Sequence, residues 1–132
     1  MAKFLLDTDT CIHILRGRSG VADRLSARRP DEIALSIVTV FELLAGAAKS
    51  QQPAREQKKM DLFLQPLSIL DWNRPAAETA AQLRFYLEKT GHKIGPYDLL
   101  IAAQALASNL ILVTGNRNEF NRVPQLQLET WI

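Results

Sequence analysis

The chain has 132 residues, 47% of them hydrophobic and 23% charged, which is the size and composition of one ordinary globular domain. This composition excludes a disordered, collagenous or low-complexity protein, and we expect one domain over residues 1–132. The net charge of +2 is small, so a polyanionic partner needs a local basic patch. Cys11 is the only cysteine, which excludes an internal disulfide. Because residues 1–7 also lack the features of a signal peptide, we expect a cytoplasmic protein.

Short apolar runs alternate with longer segments of helical periodicity along the whole chain. In chain order, the pattern predicts a strand at 3–6, helices at 8–15 and 20–28, a strand at 33–36, helices at 39–49 and 53–64, a strand at 67–70, a helix at 75–90, a helix from Gly95 and Pro96 to 108, a strand at 110–113 and an edge strand at 126–128. Apolar strands separated by helices favour a three-layer α/β/α sandwich with a central, mainly parallel sheet of four to five strands.

Residues 99–116 carry no charge over a length that could span a bilayer. Polar residues such as Gln104, Ser108 and Asn109 interrupt this stretch. We therefore interpret it as a buried helix that leads into a buried strand, and we expect no membrane association.

Three acidic residues stand at predicted strand ends or helix starts. Asp7 follows the first strand, Glu42 lies in an apolar run after the second, and Asp98 opens the helix after Gly95 and Pro96. Each has a purely structural alternative: Asp7 as an N-cap, Glu42 with Thr39 as a T-x-x-E capping box, and Asp98 as an acid favoured by the helix dipole.

The segment after the last core strand adds further polar groups, namely Thr114, Asn116 and Glu119 in a turn. Ligands of parallel α/β sheets bind at the carboxyl ends of the strands, where these residues and the three acids are expected to meet. Clustered carboxylates need neutralisation, and Mg²⁺ or Mn²⁺ with oxygen ligands suits them better than zinc does.

Four segments in this order, LLDTDTCI, TVFELLAG, GPYDLLIAAQAL and LVTGNRNEFNRVP, resemble the PIN-domain ribonucleases, specifically the VapC toxins of bacterial toxin–antitoxin pairs. The resemblance runs over essentially the whole chain. It implies the α/β/α sandwich and divalent-metal-dependent endonucleolytic cleavage of RNA, with structured RNA, especially tRNA, as substrate.

The resemblance places the metal ligands at Asp7, Glu42 and Asp98. A fourth acid is frequent in the family at the position of Asn116, where Glu119 is the candidate replacement. Thr114 matches a hydroxyl residue that orients the acids. Asp9 departs from the family pattern. It is either a residue that supports the metal ligands or an extra ligand.

Because the expected site is acidic, affinity for RNA must come from surrounding cations. The candidates are Arg16, Arg18, Arg84, Lys93, Arg117 and Arg122. Tyr97, beside Asp98, is a candidate for stacking on a base or for core packing.

The resemblance also implies a homodimer and a VapB antitoxin whose C-terminal segment occupies the active-site groove. Two other functions remain open from the residues. Asp7-Thr8-Asp9 imitates the D-x-D motif of haloacid-dehalogenase-type phosphatases, although the later paired-Asp motif is missing. A non-catalytic module that binds a basic peptide in its acidic groove is the other, and Asn116 favours it. An RNA-processing nuclease without an antitoxin is a variant of the main hypothesis.

Overall fold

The structure is a computed structural model that describes residues 1–18 and 20–132. Its strands are β1 (Phe4–Leu6), β2 (Ile33–Ser36), β3 (Ser68–Leu70), β4 (Ile111–Val113) and β5 (Leu128–Glu129). They form one sheet in the order β3-β2-β1-β4-β5, and every neighbouring pair is parallel. The predicted parallel α/β fold is therefore confirmed, with five strands.

The described helices are α1 (Thr8–Leu15), α2 (Val21–Ser26), α3 (Ile37–Lys49), α4 (Pro53–Leu64), α5 (Arg74–Thr90), α6 (Pro96–Ala107) and α7 (Arg117–Phe120), with a 3₁₀ turn at Pro30–Glu32. Most predicted bounds agree with these within two residues. Helix α3 starts two residues earlier than predicted, and α7 replaces what was interpreted as a turn. The edge strand lies at Leu128–Glu129, two residues later than predicted.

The two faces of the sheet are covered by different helices, which explains why β1 reads as a continuous apolar run. Leu5 packs with Leu83 of α5 and Ile101 of α6, whereas Phe4 and Leu6 on the other face pack with residues of α1, α2 and α4. A strand buried on both faces needs apolar residues at every position. In the structure, the uncharged residues 99–116 form most of α6 and the buried strand β4. No helix in residues 1–18 and 20–132 is long and apolar enough to cross a membrane.

The strand order creates a switch point in the middle of the sheet. From β1 the chain adds β2 and β3 on one side and then returns to place β4 and β5 on the other side of β1. A crevice forms at such a point because neighbouring connections leave in opposite directions. Asp7 follows β1 and Thr114 follows β4, so both residues stand at this crevice.

The C-terminal segment is fastened to the sheet by a stacked cation. The Arg28 guanidinium lies 4.7 Å from the ring centres of both Phe4 and Trp131 and donates to Glu129 at 2.8 Å. Strand β5 then extends the backbone pairing of β4, because the Thr114 N–H donates to the Glu129 carbonyl at 3.0 Å. This pairing fixes the end of β4, where the polar segment of the crevice begins.

Candidate active site

Asp7 is both a helix cap and a buried carboxylate. Its Oδ1 accepts a hydrogen bond from the Thr10 N–H at 2.8 Å, so the predicted N-cap of α1 is present. Only 2% of the residue is exposed. Burial raises the pKa of Asp7, while hydrogen bonds from Thr114 and Thr10 offset part of that rise. A cap needs no such burial, and capping therefore leaves the inaccessible position of this carboxylate unexplained.

Glu42 is not part of a capping box, contrary to one of the two interpretations from sequence. Helix α3 starts at Ile37, and its cap is Ser36, whose side chain accepts from the Val38 N–H at 3.1 Å. Glu42 consequently lies more than a turn inside the helix, where it cannot reach the cap. Its Oε1 instead accepts a hydrogen bond from Thr8 Oγ1 at 2.6 Å, across to the start of α1. Buried Thr39 lies beside this pair, with its Oγ1 3.2 Å from that of Thr8.

Asp98 lies in the first turn of α6, where the helix dipole favours an acid, as predicted. Its pKa is nevertheless raised to about 7. Burial is the largest cause, followed by a hydrogen bond with Glu119 and by the negative charges of Glu119, Asp7 and Glu42. Asp98 is thus close enough to three carboxyl groups from three other segments for their negative charges to disfavour its ionised form.

Asn116 caps α7 and holds the side chain of Glu119. Asn116 Oδ1 accepts from the Glu119 N–H at 3.4 Å, and Asn116 Nδ2 donates to Glu119 Oε2 at 2.9 Å. Thr114 Oγ1 in turn accepts from the Asn116 N–H at 2.9 Å. Glu119 Oε1 accepts from the Gly95 N–H at 3.1 Å, which links α7 to the start of α6. Asn116 therefore contributes a neutral amide that orients Glu119, and Glu119 brings the negative charge to Asp98.

Asp9 stands apart from the four acids. Its side chain is 61% exposed and lies 3.7 Å from His13 Nε2, one turn along α1. It adds to the raised pKa of Asp7 only through its charge, which is the weakest of the causes. The phosphatase hypothesis needs Asp7 and Asp9 to act together, and this outward position of Asp9 speaks against it.

The predicted RNA-binding cations lie in several places around the site. Arg84 and Lys93 line one groove beside α6, and Arg16 lines another that contains Glu42. Arg117 is exposed at the start of α7. Two further candidates make contacts within the protein: Arg18 Nη1 lies 3.0 Å from His13 Nδ1, and Arg122 Nη1 donates to the Lys93 carbonyl at 2.9 Å.

The donor chemistry of this edge fits a hard divalent cation. The four acids offer only oxygen atoms, and their mutual repulsion is relieved by a positive ion. Within the described residues, no group of three or more His, Cys, Asp or Glu side chains is spaced so that it could hold a metal ion. The carboxylates at this edge suit Mg²⁺ because this ion keeps several water ligands and binds through one or two carboxylates together with substrate phosphate.

Sequence reasoning missed Thr8, Thr39 and Gly95. A Cβ atom placed on Gly95 would lie in ordinary van der Waals contact with Asp98 Oδ2, at 3.4 Å, so Gly95 lies directly beside that carboxylate. Thr8 and Thr39 bond across 31 positions of the chain, and no local pattern indicates such a contact. The adjacency of Thr8 to Asp7 was the one available signal.

Thr8→Val is expected to raise the Mg²⁺ concentration for half-maximal cleavage roughly tenfold, because Glu42 loses the hydrogen bond that orients it and outer partners of metal ligands typically contribute 10–100-fold. Valine keeps the β-branched shape at this position. A metal titration of cleavage rates measures the change, with Thr90→Val as control because that hydroxyl bonds only to the Tyr86 and Leu87 carbonyls at the end of α5. Equal half-maximal concentrations for Thr8→Val and the wild type would contradict this role.

Comparisons with known proteins identify the family of this chain. The sequence model of the PIN domain matches residues 4–126. The tRNA(fMet)-specific endonuclease VapC of Shigella flexneri is 37% identical over 132 residues, which cover 99% of both chains. Ribonuclease VapC2 of Rickettsia felis is 37% identical over 130 residues, 97% of both. Among solved structures, a DNA-bound VapBC complex from Salmonella typhimurium contains a chain that superposes with a TM-score of 0.96 at 35% identity, over 100% of both chains.

The parallel sheet, the four carboxyls at its switch point and these matches define a class, that of metal-dependent nucleases with a PIN fold. The chain belongs to the PIN-domain family and, within it, to the VapC ribonucleases. It is thus an endoribonuclease that depends on a divalent metal ion. The resemblance seen in its four sequence motifs is confirmed.

Proposed function

We propose that this chain is the toxin of a VapBC-type toxin–antitoxin module and cuts phosphodiester bonds of structured RNA, with tRNA as substrate and Mg²⁺ or Mn²⁺ as cofactor. The observation that supports the proposal is the position of Asp98 beside Glu119 and within reach of the charges of Asp7 and Glu42, near the switch point of the sheet. The substrate class follows the VapC of Shigella flexneri, which is named for tRNA(fMet).

Each residue has a separate part in this proposal. Asp7, Glu42 and Asp98 hold the ion, which when bound activates water and offsets charge on the phosphate. Glu119 supplies the fourth negative charge beside Asp98, and Asn116 fixes the rotamer of Glu119. Thr114 supports both sides of the crevice, because its hydroxyl bonds to Asp7 and accepts from the Asn116 N–H. The protein thereby fixes the position of the ligands before the substrate arrives.

The direct test is cleavage of total tRNA by the purified, antitoxin-free protein with Mg²⁺ or Mn²⁺, with EDTA as the metal-free control. We expect discrete fragments, which EDTA abolishes and whose ends identify the cut. Intact tRNA after incubation with the folded, metal-loaded protein would reject the tRNA assignment. If a broad set of other RNAs also stayed intact, the non-catalytic binding module would be favoured.

The antitoxin is proposed to occupy a groove of about 410 Å³ between α1, α3 and α4. Its apolar lining includes Ile12, Leu43 and Met60, and Glu42 stands in it as an acidic group. A helix or extended segment of VapB with apolar anchors and one basic side chain fits this chemistry. The similar structures from Salmonella typhimurium and Rickettsia felis are VapBC complexes.

A homodimer and a cytoplasmic location complete the proposal. Ile37, Phe41 and Leu44 form an exposed apolar stripe along α3, and Tyr97 of α6 extends it with its ring centre 5.5 Å from that of Phe41. An exposed apolar stripe of this kind is typical of an interface. Light scattering of the purified protein gives the mass directly, and a monomer at micromolar concentration would reject the dimer. Tyr97 is 44% exposed, so it is not a core residue.

A further inference from the structure

A second groove, of about 300 Å³, lies where α5 ends and α6 begins, and we call it the α5–α6 groove. Its apolar walls are Leu87, Ile94, Pro96 and Leu99. Its polar groups are two cations and one acid, Arg84, Lys93 and Glu88. The groove thus combines apolar walls with a net positive charge, in contrast to the acidic site next to it.

The α5–α6 groove is joined to the active site through its own wall. Ile94 and Pro96 flank Gly95, whose N–H donates to Glu119 Oε1 at 3.1 Å and whose Cα faces Asp98. On the other side of Ile94, the Lys93 carbonyl accepts from Arg122 Nη1 at 2.9 Å. Glu119 and Arg122, about one helical turn apart, therefore hold the segment that lines the groove. A group bound there has a fixed position relative to the catalytic acids.

The cations of the groove offset the repulsion between the acidic site and the phosphates of RNA. A polyanion that crosses four carboxylates needs cations close by, and Lys93 is exposed at the edge of the groove. The Arg84 side chain is 71% exposed. Its Nε forms an ion pair with Glu88 at 3.4 Å. A carboxylate side chain would satisfy the cations but leave the apolar walls uncovered. A nucleotide brings a flat apolar base and a phosphate in one unit, so it satisfies both.

We propose that the α5–α6 groove binds one nucleotide of the RNA substrate next to the bond that is cut. The base lies against Leu87, Ile94 and Leu99, its phosphate contacts Arg84 and Lys93, and Glu88 accepts from N–H groups of the base. This subsite rests on the proposed ribonuclease function. It also explains how the protein positions RNA from one side while the carboxylates hold the ion.

The test compares two double variants that remove equal charge from the same part of the chain. Arg84→Ala/Lys93→Ala removes the cations of the groove. Arg74→Ala/Lys89→Ala is the matched control, because Arg74 makes the same i,i+4 pair with Glu78, at 3.8 Å, at the far end of α5. Lys89 is an exposed cation in the last turn of α5 that does not line the groove.

We expect the groove variant to raise KM for RNA about tenfold with kcat changed less than about twofold, since neither cation touches the acids. Its binding should also depend less on salt, with a slope lower by about 0.7, because the two cations contact one phosphate of a single strand. The control variant should retain the wild-type KM. Equal KM values for both double variants, with an active wild type, would overturn the subsite and leave the ribonuclease function intact.

A second measurement tests nucleotide binding to the groove without relying on RNA cleavage. Titration of the metal-free protein with a nucleoside 5′-monophosphate should shift the NMR methyl signals of Leu87, Ile94 and Leu99, and the groove variant should lose these shifts. Failure of the wild type to cleave any RNA would count against the proposed function, whereas the methyl signals decide on the groove by themselves. Unshifted methyl signals would overturn the subsite. So would a groove variant that changes only antitoxin affinity or only oligomeric mass, because the groove would then belong to that partner.

Discussion

Asp7→Asn is expected to lower the cleavage rate by at least about 100-fold while the protein stays folded. The reason is that Asp7 has two roles that this substitution separates. Asparagine caps a helix about as well as aspartate, so the hydrogen bond with the Thr10 N–H is retained. It cannot supply the negative charge that a carboxylate ligand brings to the metal ion. Loss of that charge also removes the cost of burying it, so the melting temperature should stay equal or rise.

The contrast with Asp7→Ala makes this result specific. Alanine removes the cap as well, and we expect a loss of about 1 kcal/mol of stability in addition to the loss of cleavage. Cleavage of labelled RNA and thermal unfolding, measured on the same preparations, provide both readouts. Asp61→Asn removes one exposed carboxylate on α4 and controls for the change in net charge. Full activity of Asp7→Asn would show that Asp7 only caps α1.

The positions of the strands and of Asp7 and Asp98 could be predicted because their signals are local. Helix α1 begins directly after Asp7, and α6 begins at Pro96 just before Asp98, so the chain itself indicates that these acids stand at helix starts. The uninterrupted apolar character of β1 follows from burial on both faces, which predicted the parallel sheet.

The start of α3 could not be predicted with the same certainty, because Ser36 and Thr39 are both good caps. Both residues are fully buried. Only the packing of the complete fold therefore decides which of them ends the strand and caps α3. The contact between Thr8 and Glu42 joins residues 34 positions apart, so it also depends on the complete fold.

Helix α7 was missed for a different reason. Four residues give no usable periodicity, and the helix is held by its cap and by contacts with the α5–α6 connection. Asn116 therefore looked like a missing ligand in the sequence, although in the structure it orients Glu119. Polar residues after a strand indicate a site, but their division into ligands and supports depends on packing.

Cleavage at subsaturating metal is expected to rise about tenfold between pH 6 and pH 8, because the proton on Asp98 competes with the metal ion. In the metal-free protein the pKa of Asp98 is about 7, mainly through burial and then through Glu119. About nine-tenths of this carboxyl is then protonated at pH 6 and about one-tenth at pH 8. Higher metal concentration should move the rise to lower pH, as expected for ligands that bind metal only when deprotonated.

Stability of the metal-free protein should change in the opposite direction. The pKa of Asp98 is raised from 3.8 in the unfolded chain, so the folded state binds the extra proton between about pH 4 and 7. This contribution is fully present below the lower value and is lost as the pH rises through about 7. Melting temperatures measured in EDTA should therefore fall by a few degrees between pH 6 and pH 8, and Mg²⁺ should restore them more at pH 8.

Asp98→Asn should abolish that part of the fall, and Glu119→Gln should shift it to lower pH because it removes the neighbouring charge. A pH dependence unchanged in both variants would show that another group controls it.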